Sequence, residues 1–148
     1  MADKQVYEMR LRVLLTGNAV FSVVSGSVLL IAAPWFARQF GAFDPLWIRI
    51  AGGLIVLFGI DVYYASRRWL NALTGLVVSA ADASWVLATL ILLPIFWSAI
   101  EPTGRSLALV IGVIVAIFGN LQFQASVGIR RAIRQRSQSA GRTAGAGH

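Results

Sequence analysis

The stretch LALVIGVIVAIF, residues 107–118, contains no polar side chain, and IAGGLIVLFGI, residues 50–60, has the same character. The strands of a membrane β-barrel alternate apolar and polar residues, so neither stretch fits such a strand. An α-helix of about 20 apolar residues crosses the hydrocarbon core of a bilayer, which is roughly 30 Å thick. Both stretches therefore indicate membrane-spanning helices.

Extending this criterion along the chain gives four predicted spans. They cover approximately residues 11–33, 47–66, 70–97 and 107–128. Because helices satisfy their own backbone hydrogen bonds in lipid, we predict an all-α fold, an integral membrane up-down four-helix bundle within residues 1–134. Residues 135–148 are polar and rich in Ser, Gly and Ala, and we expect them to form a disordered cytoplasmic tail.

The connections between the spans carry further signals. Phe36, Phe40 and Phe43 have helical spacing and predict a short helix lying at the membrane surface. Asp44-Pro45 predicts the start of the second span. The connection around residues 67–70 is very short, so we expect the second and third spans to pack as antiparallel neighbours.

The composition excludes several classes of protein and site. Hydrophobic residues make up 57% of the 148 residues and charged residues 13%, which is too apolar for an ordinary soluble domain. The net charge of +7 would otherwise suggest nucleic-acid binding. Basic residues cluster at the ends of apolar stretches, however, so we expect no nucleic-acid partner. With no cysteine and one histidine, the terminal His148, we expect no metal and no cofactor.

The basic residues also predict the orientation of the chain. Cytoplasmic loops of membrane proteins carry an excess of Lys and Arg. We therefore predict a multi-pass protein of the bacterial inner (plasma) membrane with its N- and C-termini in the cytoplasm. Ten basic residues fall on the predicted cytoplasmic side and three on the other: Lys4, Arg10, Arg12, Arg67, Arg68, Arg130, Arg131, Arg134, Arg136 and Arg142, against Arg38, Arg49 and Arg105.

A basic cluster follows the fourth span. Such clusters attract anionic lipid headgroups, with about 1 kcal/mol for each Lys or Arg near the surface. The expected partners are therefore the lipid bilayer and anionic headgroups, and for protein partners a second copy of this chain or another membrane protein. The predicted headgroup contacts are Arg130, Arg131, Arg134 and Arg136.

A shift of 60 residues aligns part of the first half of the chain with the second half. Without a gap it matches, among others, Gly52 with Gly112 and Gly59 with Gly119. The shift indicates a duplicated helical hairpin, whose copies would be related by a pseudo-two-fold axis along the membrane normal. Each pair of glycines is seven residues apart and so marks one helix face, suited to close helix contact.

Polar side chains inside the spans are the candidate functional residues, because a charge near the centre of a span costs roughly 2.5–3.5 kcal/mol. Asn18, Asp61 and Asn120 lie at similar distances from three helix ends. We predict that they form one buried layer, which would either hold the helices in register or bind a small polar group.

A second group of candidates involves the deeper carboxyl group. Asp82 lies near the middle of the third span, and Arg49 lies within reach on the second span if these spans are neighbours. We predict a buried ion pair between them, with Trp85 one turn further along the third span. Arginine suits this role because it keeps its charge and can hold a carboxylate with two hydrogen bonds.

Three segments carry a resemblance to a known family. They are RVLLTGNAVFSVVSG (residues 12–26), LWIRIAGGLIVLFGIDVYYASRR (46–68) and AADASWVLATLILLP (80–94). The chain resembles small four-helix bacterial inner-membrane proteins and is distantly similar to DoxX-like proteins over about residues 12–124. The resemblance implies a compact hairpin plan. The positions that it carries over are the paired arginines after the second span, Arg67 and Arg68, and the Asp-x-x-Trp motif of the third span, Asp82 and Trp85.

These features favour a non-enzymatic inner-membrane protein, either an accessory subunit or a binder of a lipophilic ligand. One alternative is a homo-oligomeric transporter or channel subunit that uses Asp82. Another is an intramembrane enzyme acting on a lipid-like substrate, with Asp61 or Asp82 as the acid or base. A pocket beside Trp85 would favour the binder, a continuous polar path the transporter, and two facing carboxylates the enzyme.

Overall fold

The computed structural model describes residues 2–41 and 44–145, and these residues form an all-α fold. Four of its helices are long and apolar enough to cross a membrane, as expected of a multi-pass membrane protein, so the predicted fold class is confirmed. The helices are α1 (Ala2–Ile31), α2 (Ala33–Gln39), α3 (Pro45–Arg68), α4 (Ala72–Ile95) and α5 (Pro102–Gly145).

Capping side chains determine where α3 and α4 begin. The carboxylate of Asp44 accepts a hydrogen bond from the amide of Leu46 over 2.8 Å, and Pro45 is the first residue of α3. Asn71 has the same role for α4, because its side chain accepts a hydrogen bond from the amide of Thr74 over 2.9 Å. The predicted start of the second span at Asp44-Pro45 is confirmed.

The short helix α2 lies at the end of the bundle opposite the chain termini. Phe36 is buried, and its ring stacks on that of Phe40 with the centroids 6.4 Å apart. The carbonyl of Gln39 accepts a hydrogen bond of 2.9 Å from the amide of Glu101, between α4 and α5. The predicted helix in the first loop is present, while Phe43 lies outside the described residues. This hydrogen bond thus links α2 to the connection between α4 and α5.

The long helices pair as α1 with α3, the first hairpin, and α4 with α5, the second hairpin, and α1 also packs against α5. In contrast, α3 and α4 make few contacts, although only residues 69–71 connect them. The prediction that the second and third spans are packed neighbours is therefore wrong. A short connection fixes only the helix ends, whereas faces of small residues decide which helices pack along their length.

Glycines bring α1 and α3 into backbone contact. A Cβ added to Gly52 would lie 2.8 Å from the carbonyl oxygen of Gly26, and one added to Gly26 would lie 2.7 Å from that of Gly52. A Cβ added to Gly59 would lie 2.9 Å from the carbonyl oxygen of Ala19. These separations are too short for any side chain, so glycine is required. The interpretation of Gly52 and Gly59 as a contact face is confirmed.

The contact of α4 with α5 repeats that of α1 with α3 at Gly119, but not at Gly112, where an added Cβ would meet only Thr89, 3.8 Å away. An added Cβ on Gly59 of α3 would lie 3.0 Å from the Cβ of Ser22 on α1. An added Cβ on Gly119 of α5 would lie 3.1 Å from the Cβ of Asp82 on α4. Both positions differ by 60 residues, which supports the predicted duplicated hairpin. The packing of the copies is unequal, however, because α1 and α5 are in contact whereas α3 and α4 leave a gap.

Helix α5 extends beyond the predicted fourth span. It continues to Gly145, so residues 135–145 are helical where the sequence predicts disorder, and residues 146–148 lie outside the described residues. Extending a helix that is already formed avoids the unfavourable nucleation step that an isolated segment faces. Ile129, which is 2% exposed, still packs against the bundle shortly before this segment begins.

We predict that Gly52→Ala lowers the free energy of unfolding by about 1–3 kcal/mol, because the new methyl group forces α1 and α3 apart. The neighbouring Gly53→Ala is the matched control, since an added Cβ there meets nothing within 4 Å. Alanine favours helix formation over glycine by about 1 kcal/mol, so Gly53→Ala should leave stability unchanged or raise it. Unfolding of the micelle-solubilised protein by SDS measures both, and equal losses would contradict backbone contact at Gly52.

Candidate functional site

A carboxyl group is buried near the middle of α4. Asp82 is 4% exposed, and its Oδ2 accepts a hydrogen bond of 2.8 Å from Nδ2 of Asn18, which is 1% exposed on α1. Gly119 allows α5 to close over another side of Asp82. Since α1 belongs to the first hairpin and α4 to the second, this hydrogen bond links the two hairpins inside the bundle.

The predicted ion pair between Arg49 and Asp82 is wrong. Arg49 is exposed near the start of α3, and the ion pair found among the described side chains joins Lys4 and Glu8 within α1. The predicted pair requires α3 to pack along α4, whereas α3 packs along α1. Asp82 therefore accepts its hydrogen bond from a neutral amide and not from a guanidinium group.

The predicted layer of Asn18, Asp61 and Asn120 is also wrong. Asn18 is buried, but Asp61 is exposed on α3, and Asn120 is exposed in a groove between α4 and α5. Equal distances from helix ends fix the height of a residue along its helix. They do not fix the direction of its side chain, which turns by about 100° for each residue.

Gln122 of α5 is a buried polar residue that was not among the predicted site residues. This side chain has no exposed surface, and neither its Oε1 nor its Nε2 has a hydrogen-bond partner among the described residues. It lies about one helical turn from Gly119, which faces Asp82. The sequence contains one signal for it, because the shift of 60 residues aligns Gln122 with Val62, an apolar residue of the second predicted span. An unsatisfied buried amide costs about 1–3 kcal/mol.

A cavity of about 310 Å³ lies between the four long helices beside the Asn18–Asp82 hydrogen bond. Each of α1, α3, α4 and α5 contributes to its wall. Six of the lining residues are aliphatic, three are aromatic and four are polar. The aromatic ones are Phe21, Phe58 and Trp85, and the polar ones are Asn18, Ser22, Ser25 and Asp82.

The cavity opens towards the gap between α3 and α4. Leu54 on α3 is 62% exposed and Trp85 on α4 is 46% exposed, and both line the cavity. The residues that α5 contributes, Ile111 and Val115, are partly or fully buried. The open side of the cavity is therefore the side on which the two hairpins fail to meet, and Trp85 stands at its edge.

The predicted headgroup contacts lie at the end of the bundle that carries the chain termini, here called the arginine-rich end. Arg130, Arg131 and Arg134 are exposed on α5, and the side chain of Arg136 lies outside the described ones. Arg131 and Arg10 of α1 line a groove of about 1150 Å³ between α1 and α5, whose other residues are mostly apolar.

The carboxyl groups proposed for acid–base chemistry are separated. Asp82 lines the central cavity, whereas Asp61 lines a groove between α3 and α4 near the residues that connect them. No protein-family model, curated protein or solved structure matches this chain. In the geometry of the site, one carboxyl group meets an otherwise mainly apolar cavity.

We predict that Asn18 and Asp82 are energetically coupled. Asn18→Leu and Asp82→Leu should each lower the free energy of unfolding by about 1–3 kcal/mol, because each leaves a buried polar partner without its hydrogen bond. The double variant should lose less than the sum of the two single losses. Asn120→Leu, which removes an exposed amide, is the control and should change stability by less than about 0.5 kcal/mol. Strictly additive losses in SDS unfolding would show that the two residues are independent.

Proposed function

We propose that this protein is a non-enzymatic, multi-pass protein of the bacterial inner membrane that binds a lipophilic ligand in the cavity between its four long helices. The observation that carries the proposal is the composition of that cavity, which is mainly apolar and aromatic with a few polar groups beside Asp82. Binding sites for small molecules commonly have this composition and occupy roughly 300–1,000 Å³.

The side opening supports a ligand that comes from the lipid phase. Leu54 and Trp85 stand at the gap between α3 and α4, which are both apolar helices of membrane-spanning length. A molecule dissolved in hydrocarbon would enter through this gap without passing through water. An apolar tail left in the gap would contact lipid at little cost, because lipid and side chains such as Leu54 are similarly apolar.

The charge distribution supports the proposed orientation. Ten of the thirteen Lys and Arg residues belong to segments that a cytoplasmic position of both termini would place inside. The exposed Arg130, Arg131 and Arg134 on α5 would then contact anionic headgroups of the inner leaflet. The groove lined by Arg10 and Arg131 is otherwise mostly apolar, so it combines basic groups for a headgroup with an apolar surface for acyl chains.

A homo-oligomeric transporter or channel subunit is the second candidate. Buried polar residues follow Asp82 along the bundle towards the arginine-rich end, namely Ser79, Gln122 and Ser126. The hydroxyl groups of Ser79 and Ser126 donate to carbonyls of their own helices, at Gly75 and Gln122. Among the described residues no hydrogen bond joins the side chains of Ser79, Gln122 and Ser126, so they do not form a hydrogen-bonded path. We therefore prefer binding to transport.

We predict that filling the cavity abolishes binding. Three probes with twelve carbon atoms each, dodecylamine, dodecan-1-ol and dodecanoate, are offered to the purified protein, and native mass spectrometry counts bound molecules. At least one should bind as a single copy, and Ala81→Phe should remove it, because Ala81 lines the cavity. Ala83→Phe on the same helix is the matched control, because Ala83 lines the groove between α4 and α5 instead. No saturable binding, or equal binding to both variants, would contradict the proposal.

We predict that both termini are cytoplasmic. Reporter fusions truncated after residue 68 and at the C-terminus should give a cytoplasmic signal, and a fusion after residue 40 should give a periplasmic one. The physical reason is the excess of basic residues around Arg67 and Arg68 and around α5. A periplasmic signal at residue 68 would reverse the proposed orientation.

A further inference from the structure

The central cavity is lined by one acidic residue and by no basic residue. Among its thirteen lining residues, Asp82 is the one that can carry a charge, and none is Lys, Arg or His. The candidate counter-charge, Arg49, is exposed near the start of α3 and forms no ion pair with Asp82. In a cavity of low dielectric constant the ionised carboxylate of Asp82 attracts a cation and repels an anion more strongly than it would in water.

The carboxyl group of Asp82 has fewer hydrogen-bond donors than it can accept. A carboxylate offers about four acceptor positions on two oxygens. Asn18 donates to Oδ2, and no described residue donates to Oδ1. The hydroxyl of Ser22, which also lines the cavity, has no hydrogen bond among the described residues. A ligand whose head carries several N–H donors would satisfy these acceptors.

Aromatic rings accompany the carboxyl group. Phe21, Phe58 and Trp85 all line the cavity, and Phe21 is held in place by Phe118, with ring centroids 6.1 Å apart. The faces of aromatic rings attract cations, and this attraction increases when water is excluded. A carboxyl group together with aromatic rings is the combination that recognises ammonium groups, whereas an alcohol uses only the hydrogen bonds and a carboxylate is repelled.

We propose that the ligand is an amphiphile with an ammonium head, bound with its nitrogen at Asp82 and its apolar tail directed through the gap between α3 and α4. This inference rests on the proposed function and specifies the class of ligand for the same cavity. Asn18 is a positioning residue, because its hydrogen bond to Oδ2 leaves Oδ1 to face the ligand.

The same three probes test the head group on the unaltered protein. At pH 7, dodecylamine carries an ammonium head, dodecan-1-ol a neutral hydroxyl and dodecanoate a carboxylate. We expect half-saturation by dodecylamine at a concentration roughly tenfold or more below that of dodecan-1-ol, and weaker binding still of dodecanoate. Equal binding of the three, or a preference for the alcohol or for dodecanoate, would overturn the ammonium assignment while leaving the lipophilic site in place. The absence of any binding that Ala81→Phe removes would instead defeat the proposed function.

Two variants separate the role of charge from that of shape. Asp82→Asn keeps the size of the side chain and should weaken dodecylamine binding by roughly tenfold or more, while dodecan-1-ol binding changes by less than about threefold. Asp61→Asn, which changes an exposed carboxyl group outside the cavity, should leave both affinities unchanged. An equal loss of amine and alcohol binding in Asp82→Asn would contradict recognition of the ammonium charge.

Discussion

The close contact between the backbones of α1 and α3 determines much of the rest of the structure. Two apolar helices in lipid gain little from hiding their side chains from water, so they associate where small residues allow dense packing. Gly26, Gly52 and Gly59 provide such a surface. With this surface α3 packs on α1, whereas it makes few contacts with α4, and the space left between α3 and α4 is the gap that opens the cavity.

The sequence predicted those features that depend on local composition. Apolar length gave the four spans, Asp44-Pro45 gave the start of α3, and glycine spacing gave the contact face of α3. Prediction failed where direction around a helix mattered. Asp61 has the expected height but points outward, and Arg49 is exposed away from Asp82. Neither height nor connection length determines which faces meet, because that choice depends on packing between distant segments.

The site arises where the two copies of the hairpin differ. At a shift of 60 residues, Asp82 corresponds to Ser22, Asn18 to Val78 and Gln122 to Val62. Each of these six positions is buried, so the shared frame places them inside the bundle in both copies. Small or apolar residues in one copy thus correspond to polar ones in the other. The two copies therefore share their pattern of buried positions. They differ in which of these positions carry a polar side chain, and Asp82 is the one of the three polar residues that has a carboxyl group.

The two connections at opposite ends of the bundle bear on how quickly a ligand could be exchanged. At one end residues 69–71 join α3 to α4, and at the other α2 bonds to the segment between α4 and α5 through Gln39 and Glu101. The gap between the hairpins is therefore a slit held at both ends. Passage of the proposed ligand would begin with rotation of side chains such as Leu54 and Trp85, which exposed residues complete in picoseconds to nanoseconds. Separation of whole helices would take microseconds to milliseconds.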